Sequence, residues 1–268
     1  MTYLAGDEWL IVSGGTDFYP ALGDKSPAGN VLDVSQISSL RAIYADNTHW
    51  HIGALATWTD VINTELPASF DALKLAAREV GSVQIQNRAT VVGNICNASP
   101  AADGMPALLC LDAIVRISSQ DQVRDVALID FVKGNRKTTL APGEMVIDLL
   151  LPKTSTSGFS HFLKLGARKY LVISIAMVAT RLCVDSKNQI TDAALSVGSC
   201  SVVAQRLPVL EQQLIGKTLG RGLVETITQE QVSGLTPIND VRATEDYRHD
   251  AALELLKRSI ESLMNRAS

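Results

Sequence analysis

The run Ala89–Asp103, ATVVGNICNASPAAD, constrains this chain most. It sets small side chains, one glycine, two amides, hydroxyls and a carboxylate in an order with neither helical nor strand period, then leads into an apolar helix expected over Pro106–Asp112. Backbone of this kind suits close approach to a ligand. Small residues let main-chain N–H groups reach an anion, and successive N–H groups in a tight turn form a nest that neutralises phosphate without a formal positive charge. Asn94, Asn97, Ser99 and Asp103 suit sugar hydroxyls, because amides donate and accept while a carboxylate only accepts.

A second stretch adds to the first. Leu10-Ile11-Val12-Ser13-Gly14-Gly15-Thr16-Asp17 reads as a buried apolar strand running into a glycine pair, a hydroxyl and an acid. It is neither the G-x-G-x-x-G of dinucleotide-binding folds nor a G-x-x-x-x-G-K-[ST] phosphate loop.

Together, Ser13–Asp17 and Thr90–Asp103 resemble the two FAD-binding signatures of the molybdenum hydroxylases, the FAD domains or subunits of xanthine dehydrogenase, carbon monoxide dehydrogenase and their relatives. Further matches lie at Ile52–Ala54, Gly81–Ile85, Leu163–Arg168, Asp240–Arg242 and Tyr247-Arg248, so the resemblance spans essentially the whole chain. In detail it is most similar to the FAD subunit of a bacterial xanthine dehydrogenase. The resemblance implies an α+β fold: an FAD-binding module of the PCMH type, like that of vanillyl-alcohol oxidase, over residues 1–157, followed by a C-terminal domain of the molybdenum hydroxylase flavoprotein type over 158–268, a small antiparallel sheet with helices.

Cofactor contacts are then expected from Ile11, Val12, Ser13, Gly14, Gly15, Thr16 and Asp17, from Ala89, Thr90, Gly93, Asn94, Cys96, Asn97, Ala102 and Asp103, and from Val146, Lys164 and Ile173. The nest argument gives the pyrophosphate to Ser13–Thr16 and to backbone near Gly93 and Asn94. Thr90, Asn97 and Asp103 are candidates for ribityl and ribose contacts. By resemblance Lys164 lies near the isoalloxazine, where a positive charge favours the anionic reduced form, and Ile173 packs on the ring. The alternative for Lys164 is an ordinary surface lysine.

No nucleophile or general base is required of this chain, because a flavin accepts electrons singly and releases them as a hydride. The resemblance implies an oxidoreductase subunit that receives electrons from [2Fe–2S] clusters on one partner, downstream of a molybdopterin-binding partner, and passes them to NAD or another acceptor. Xanthine is the substrate expected of the whole assembly. Two other readings stand beside it: a self-contained PCMH-type flavin reductase or oxidase, and a non-catalytic assembly subunit. Three positions depart from the resembled pattern. Val92 replaces the first glycine of a GGN pair, Gln86 replaces an arginine, and Leu171-Val172 occupies a stretch where NAD-reducing relatives carry an acid.

Composition fits these expectations. The 268 residues, 46% hydrophobic and 19% charged, suffice for a substantial core, and a net charge of -4 gives no bulk attraction to nucleic acid or anionic membrane. No apolar run approaches the roughly 20 residues of a membrane span, and no signal sequence opens the chain, so a cytoplasmic location is expected. Cys96, Cys110, Cys183 and Cys200 form no C-x-x-C pair, which points to buried free thiols and to iron–sulfur centres carried elsewhere.

Along the chain, residues 1–9 are short for the strand and helix that precede the first signature in the resembled family, with Leu4–Gly6 read as the end of that helix. Strands are expected at Asn30–Val34 and Trp50–Ala54, a Thr-capped helix at Thr57–Asn63 and an amphipathic helix at Phe70–Val80. His49 and His51 share a strand face, read as a half-exposed edge rather than a metal site. A hairpin at Ala113–Val126 and a strand at Met145–Leu151 precede the polar boundary Lys153–Gly158. Beyond it come Phe162–Lys164, a long strand over Val172–Val184 paired with Ile190–Val197, helices near Leu210 and Leu223, and a last helix over Asp246–Asn265.

Overall fold

The computed structural model describes Leu4 and residues 9–267, with side chains to Met264; Ala5 and Gly6 of the expected helix end lie outside the described residues. Strand β1 (Trp9–Val12) and β2 (Asn30–Asp33) form a parallel pair flanking a short helix α1 (Phe18–Leu22). With only two strands in that sheet, β1 is half-buried rather than buried, and Leu10 is exposed.

Next come β3 (Ile43–Ala45), β4 (His49–Gly53), α2 (Trp58–Asn63), α3 (Asp71–Glu79), α4 (Val83–Gln86), α5 (Val91–Asn97) and α6 (Gly104–Cys110). They are followed by β5 (Ile114–Ser118), β6 (Val123–Ala127), α7 (Leu128–Phe131), a two-strand ladder β7 (Val132–Gly134) and β8 (Lys137–Thr138), and β9 (Met145–Pro152). The central sheet is antiparallel in the order β3-β4-β9-β5-β6, so β9 returns from late in the chain to fill the middle. Its near-continuous apolar sequence suits that place.

The second sheet comprises β10 (Phe159–Leu165), β11 (Ala176–Val184), β12 (Ile190–Gly198) and β13 (Gln205–Arg206), antiparallel in that order. Helices α8 (Pro208–Leu214), α9 (Arg221–Glu225) and α10 (Glu245–Ala267) complete this half. Leu256, Ile260 and Leu263 of α10 are buried with Val178 and Leu195 of the sheet, and Leu253 packs at the rim of that cluster. The expected long strand begins only at Ala176. Residues 166–175 are irregular because Leu171 takes a positive φ and Arg168 Nε donates to the carbonyls of Tyr170 and Leu171.

One core joins the two sheets. Ile52, Val115 and Leu149 of the central sheet share a cluster with Phe162, Met177 and Ala194 of the second. Helix α6 lies inside it, every residue buried. A helix leaves its last carbonyls unpaired, and here arginines of the second sheet meet them: Arg181 Nε donates to Cys110 O at 2.8 Å and Arg206 to Leu109 O at 2.8 Å. Arg206 also pairs with Asp112 and Glu211, and Arg181 with Asp192. Positive charge at a helix C-terminus is stabilising as well.

His51 corrects the reading of its strand. Strand β4 lies between β3 and β9, so it is interior, and the imidazole is buried. It stacks on Tyr44 at 4.4 Å, with Nδ1 2.6 Å from Asp148 and Nε2 3.1 Å from Asp46. An imidazole donates through both nitrogens only when protonated. Burial opposes the charge, but hydrogen bonds and attraction from Asp148 and Asp46 outweigh it and raise the pKa above the ordinary 6.5. Among the described residues no group of three or more His, Cys, Asp or Glu converges as a metal site. Cys110 and Cys200 are buried as expected, whereas Cys96 and Cys183 are only partly so.

Two outcomes follow for stability. Arg206→Ala strips a partly buried hub of its partners and is expected to cost about 3 kcal/mol or more in urea unfolding. The folded chain holds the His51 proton more tightly than the unfolded one, so the contribution of His51 to stability is fully present below pH 6.5 and is lost as pH rises through the raised value. The slope is at most about 1.4 kcal/mol per pH unit. Urea midpoints across that range show the fall in the native protein and lose it in His51→Asn.

Candidate functional site

The first signature is a turn built by close backbone contact. At the end of β1 the chain bends over the segment before α5, and a Cβ on Gly14 would stand 2.0 Å from Arg88 O. Gly15 has φ +70° between residues of ordinary hand, an alternation that turns successive N–H groups the same way. Tyr19 N and Ala21 N donate to Gly15 O and Asp17 O and begin α1. The amides of Gly14, Gly15 and Thr16 meet no protein acceptor among the described residues.

The second signature differs from its expected form. Its run contains the seven-residue helix α5, because Thr90 caps the start by accepting from Gly93 N at 2.9 Å and Ala98 ends it in the left-handed region at φ 48°. Val91, Val92 and Ile95 are its buried face. Val92 therefore sits at a helical position, where a side chain is no hindrance. The amides of Val91, Gly93 and Asn94 are engaged by Ala56 O, Thr90 Oγ1 and Thr90 O. Free donors thus come from the first loop rather than from Gly93 and Asn94. A hydroxyl pair, Ser13 Oγ and Thr90 Oγ1 at 3.3 Å, ties the two signatures together.

Residues Ile11–Asp17 with Ala89, Thr90, Gly93, Asn94, Cys96 and Asn97 line one cavity of about 420 Å³. A second, more apolar cavity of about 540 Å³ adjoins it through Ile11, Ser13, Gly93 and Cys96 and takes in Val146, Trp9 and Leu55. Asn94 Oδ1 is buried and has no partner among the described residues, a polar atom left for something other than protein. Burial pushes the Cys96 thiol up to about 12, so it is neutral and packs as a small apolar group.

The remaining expected residues lie apart. Ala102 is buried in the core. Asp103 accepts from Lys164 Nζ at 2.7 Å and from Ser174 Oγ at 2.6 Å, which engages both of its oxygens inside the protein rather than offering them to sugar hydroxyls. Burial raises the Asp103 pKa against the opposing pull of Lys164 and Ser174. Lys164 is buried, which removes the surface-lysine reading. Ile173 is exposed on the loop after β10, beside exposed Tyr170 and Leu171. Trp58, Val80 and Arg136 also line the first cavity and were not foreseen. Arg136 sits in the β7–β8 turn, and the Gly-Asn-Arg-Lys letters mark such a turn without revealing what it faces.

Residues 2–154 match the family model of the FAD binding domain in molybdopterin dehydrogenase, and residues 161–263 that of the CO dehydrogenase flavoprotein C-terminal domain. The nicotinate dehydrogenase FAD-subunit of Eubacterium barkeri is 32% identical over 214 residues, covering 78% of this chain and 72% of that protein. The glyceraldehyde dehydrogenase medium chain of Sulfolobus acidocaldarius is 27% identical over 266 residues, 98% and 94% of the two chains. The xanthine dehydrogenase FAD-binding subunit of Escherichia coli O157:H7 is 28% identical over 243 residues, 89% and 82%. Among solved structures, quinoline 2-oxidoreductase from Pseudomonas putida 86 has the same fold, with a TM-score of 0.88 at 23% identity over 99% of this chain and 93% of that one.

The loop contact is open to test by stability. Gly14→Ala forces the two signatures apart and is expected to cost about 1–3 kcal/mol. Gly222→Ala, in open space within α9, is expected to gain about 0.5–1 kcal/mol from backbone entropy. Thermal midpoints of the two variants, moving in opposite directions, check the assignment.

Proposed function

The chain belongs to the family of FAD-binding subunits of the molybdopterin dehydrogenases, an oxidoreductase family, and on that premise we propose that it is the electron-exit subunit of a molybdenum hydroxylase. It takes electrons from iron–sulfur clusters on one partner, which receives them from a molybdopterin-binding partner, and delivers them to NAD or another small acceptor. The observation that carries the reading is the cavity walled by both signatures at once.

The residues fit FAD. Gly14 and Gly15 let the turn pack against Arg88 and Tyr19 more tightly than a Cβ would allow, and among the described residues three adjacent amides and the buried Asn94 Oδ1 have no partner. Ser13 to Thr16 would hold the pyrophosphate, and Asn94, Asn97 and Thr90 would meet hydroxyls along it. Val146, Ile11 and Cys96 line the apolar cavity that suits a planar ring. Lys164 and Asp103 form a buried, charge-balanced pair that lines neither cavity. FAD, when bound, supplies the capacity to take electrons singly and release them in pairs. No residue of the chain is assigned a proton or a nucleophile.

For the substrate of the assembly the reading commits to xanthine or another purine. The similar xanthine dehydrogenase subunit supports it, and nicotinate, like xanthine, is an aromatic nitrogen heterocycle. Among the described residues no helix is long and apolar enough to cross a membrane, and the site of action assigned is the cytoplasm.

The purified chain is expected to be yellow, to release one FAD per chain on denaturation and to lack the broad visible absorbance of iron–sulfur clusters. Purification from its own cells is expected to bring iron- and molybdenum-bearing partners, with xanthine bleaching the flavin of the complex. A chain that neither carries nor takes up FAD contradicts the reading; a flavin bleached only by another heterocycle contradicts its purine part.

A further inference from the structure

We propose that Arg136 is an anchor for the cofactor's diphosphate, reaching the cavity from the β7–β8 turn. This inference rests on the FAD reading and extends it to a residue outside both signatures.

FAD brings two negative charges into the cavity. Among the described residues lining it, the charged side chains are Asp17 and Arg136. Asp17 is exposed at the start of α1 and makes no side-chain capping bond, so its carboxylate adds nothing favourable to an anion. Other cations nearby are paired or face a neighbouring cavity. Lys164 is paired with Asp103 at 2.7 Å, and Arg88 and Arg41 line a separate polar cavity across the Ser13–Thr90 wall, where Arg41 holds Asp60 at 2.9 Å.

Arg136 is held by its turn against the end of α5. It has φ 58°, a left-handed backbone that a residue with a Cβ adopts rarely, and its N–H donates to Ala98 O at 2.9 Å, where Ala98 itself has φ 48°. Two non-glycine residues in that region, bonded to each other, fix the turn against the end of α5. One end of the guanidinium, Nη1, donates to the side-chain and main-chain oxygens of Asn97. Arg136 is exposed, and among the described residues its Nε and Nη2 meet no protein acceptor, which leaves a fork of donors of the shape that phosphate oxygens accept. Asn97 is then a positioning residue, holding one side of the fork so that the other faces the cavity.

The test is equilibrium titration of the full-length apoprotein, wild type and Arg136→Gln and Arg136→Lys, with FAD, with ADP and with riboflavin, which lacks the diphosphate. Arg136→Gln is expected to weaken FAD and ADP at least about tenfold and to leave riboflavin unchanged, with Arg136→Lys between the two because a point charge replaces the fork. Wild-type FAD affinity is also expected to fall more steeply with salt than that of Arg136→Gln. Equal FAD affinity in wild type and Arg136→Gln overturns the proposal while the FAD reading stands. Equal weakening of riboflavin assigns Arg136 a structural role and likewise overturns it. A wild-type protein that binds no FAD overturns the underlying reading, and this one with it.

Discussion

A helix with no exposed residue sets the architecture. Helix α6 begins one residue after the second signature and ends within the second sheet, so its first turn belongs to the site and its last to the other half of the molecule. Burying it requires partners for its terminal carbonyls, since an unpaired buried carbonyl costs about 1–3 kcal/mol. Arg181 and Arg206 supply them. At the other end, a Cβ on Gly104 would stand 2.4 Å from the Trp58 indole, so the helix enters hard against α2. With both ends located, Asp103 has one place to lie, beside Lys164 of β10 and Ser174 ahead of β11. The two halves are therefore locked together around a single rod, while the residues that line the two cavities all come from the first half.

The two signatures look alike in composition and do different work. The first is a turn whose glycines permit contact with Arg88 and leave amides unpaired. The second is a short capped helix whose Val91, Gly93 and Asn94 amides are already bonded, and it offers side chains, above all the oxygen of Asn94, unpartnered among the described residues. Charge follows the same division. The buried Lys164–Asp103 pair is internally balanced, and the anion-facing capacity lies with the first loop and Arg136.

Much of this was legible in the residues. Periodicity placed α3 and α10, continuous apolar runs placed β9 and the β11–β12 pair, and the letters Ser13–Asp17 and Ala89–Asn97 converge on one cavity. What was hidden depends on contacts far apart in sequence. Helix α5 was obscured because Gly93, Asn94 and Asn97 are weak helix formers and its cap and buried face carry it. The pairing of Asp103 with Lys164 joins residues from different halves, so neither burial nor partner was readable locally. His51 is interior because Asp46 and Asp148 satisfy it, and a polar alternation read without those partners looks like an edge. Arg136 reaches the cavity through a turn whose letters name only the turn.

The central claim is that both signatures close on one flavin. Amide hydrogen exchange of the apoprotein with and without FAD tests it directly, because among the described residues Gly14, Gly15 and Thr16 lack protein acceptors while Val91, Gly93 and Asn94 at the start of α5 are already hydrogen-bonded. The account predicts that FAD slows exchange strongly in peptides spanning 11–17, with smaller slowing across 89–98 and around 136. Protection confined to one signature, or appearing only elsewhere in the chain, would contradict it.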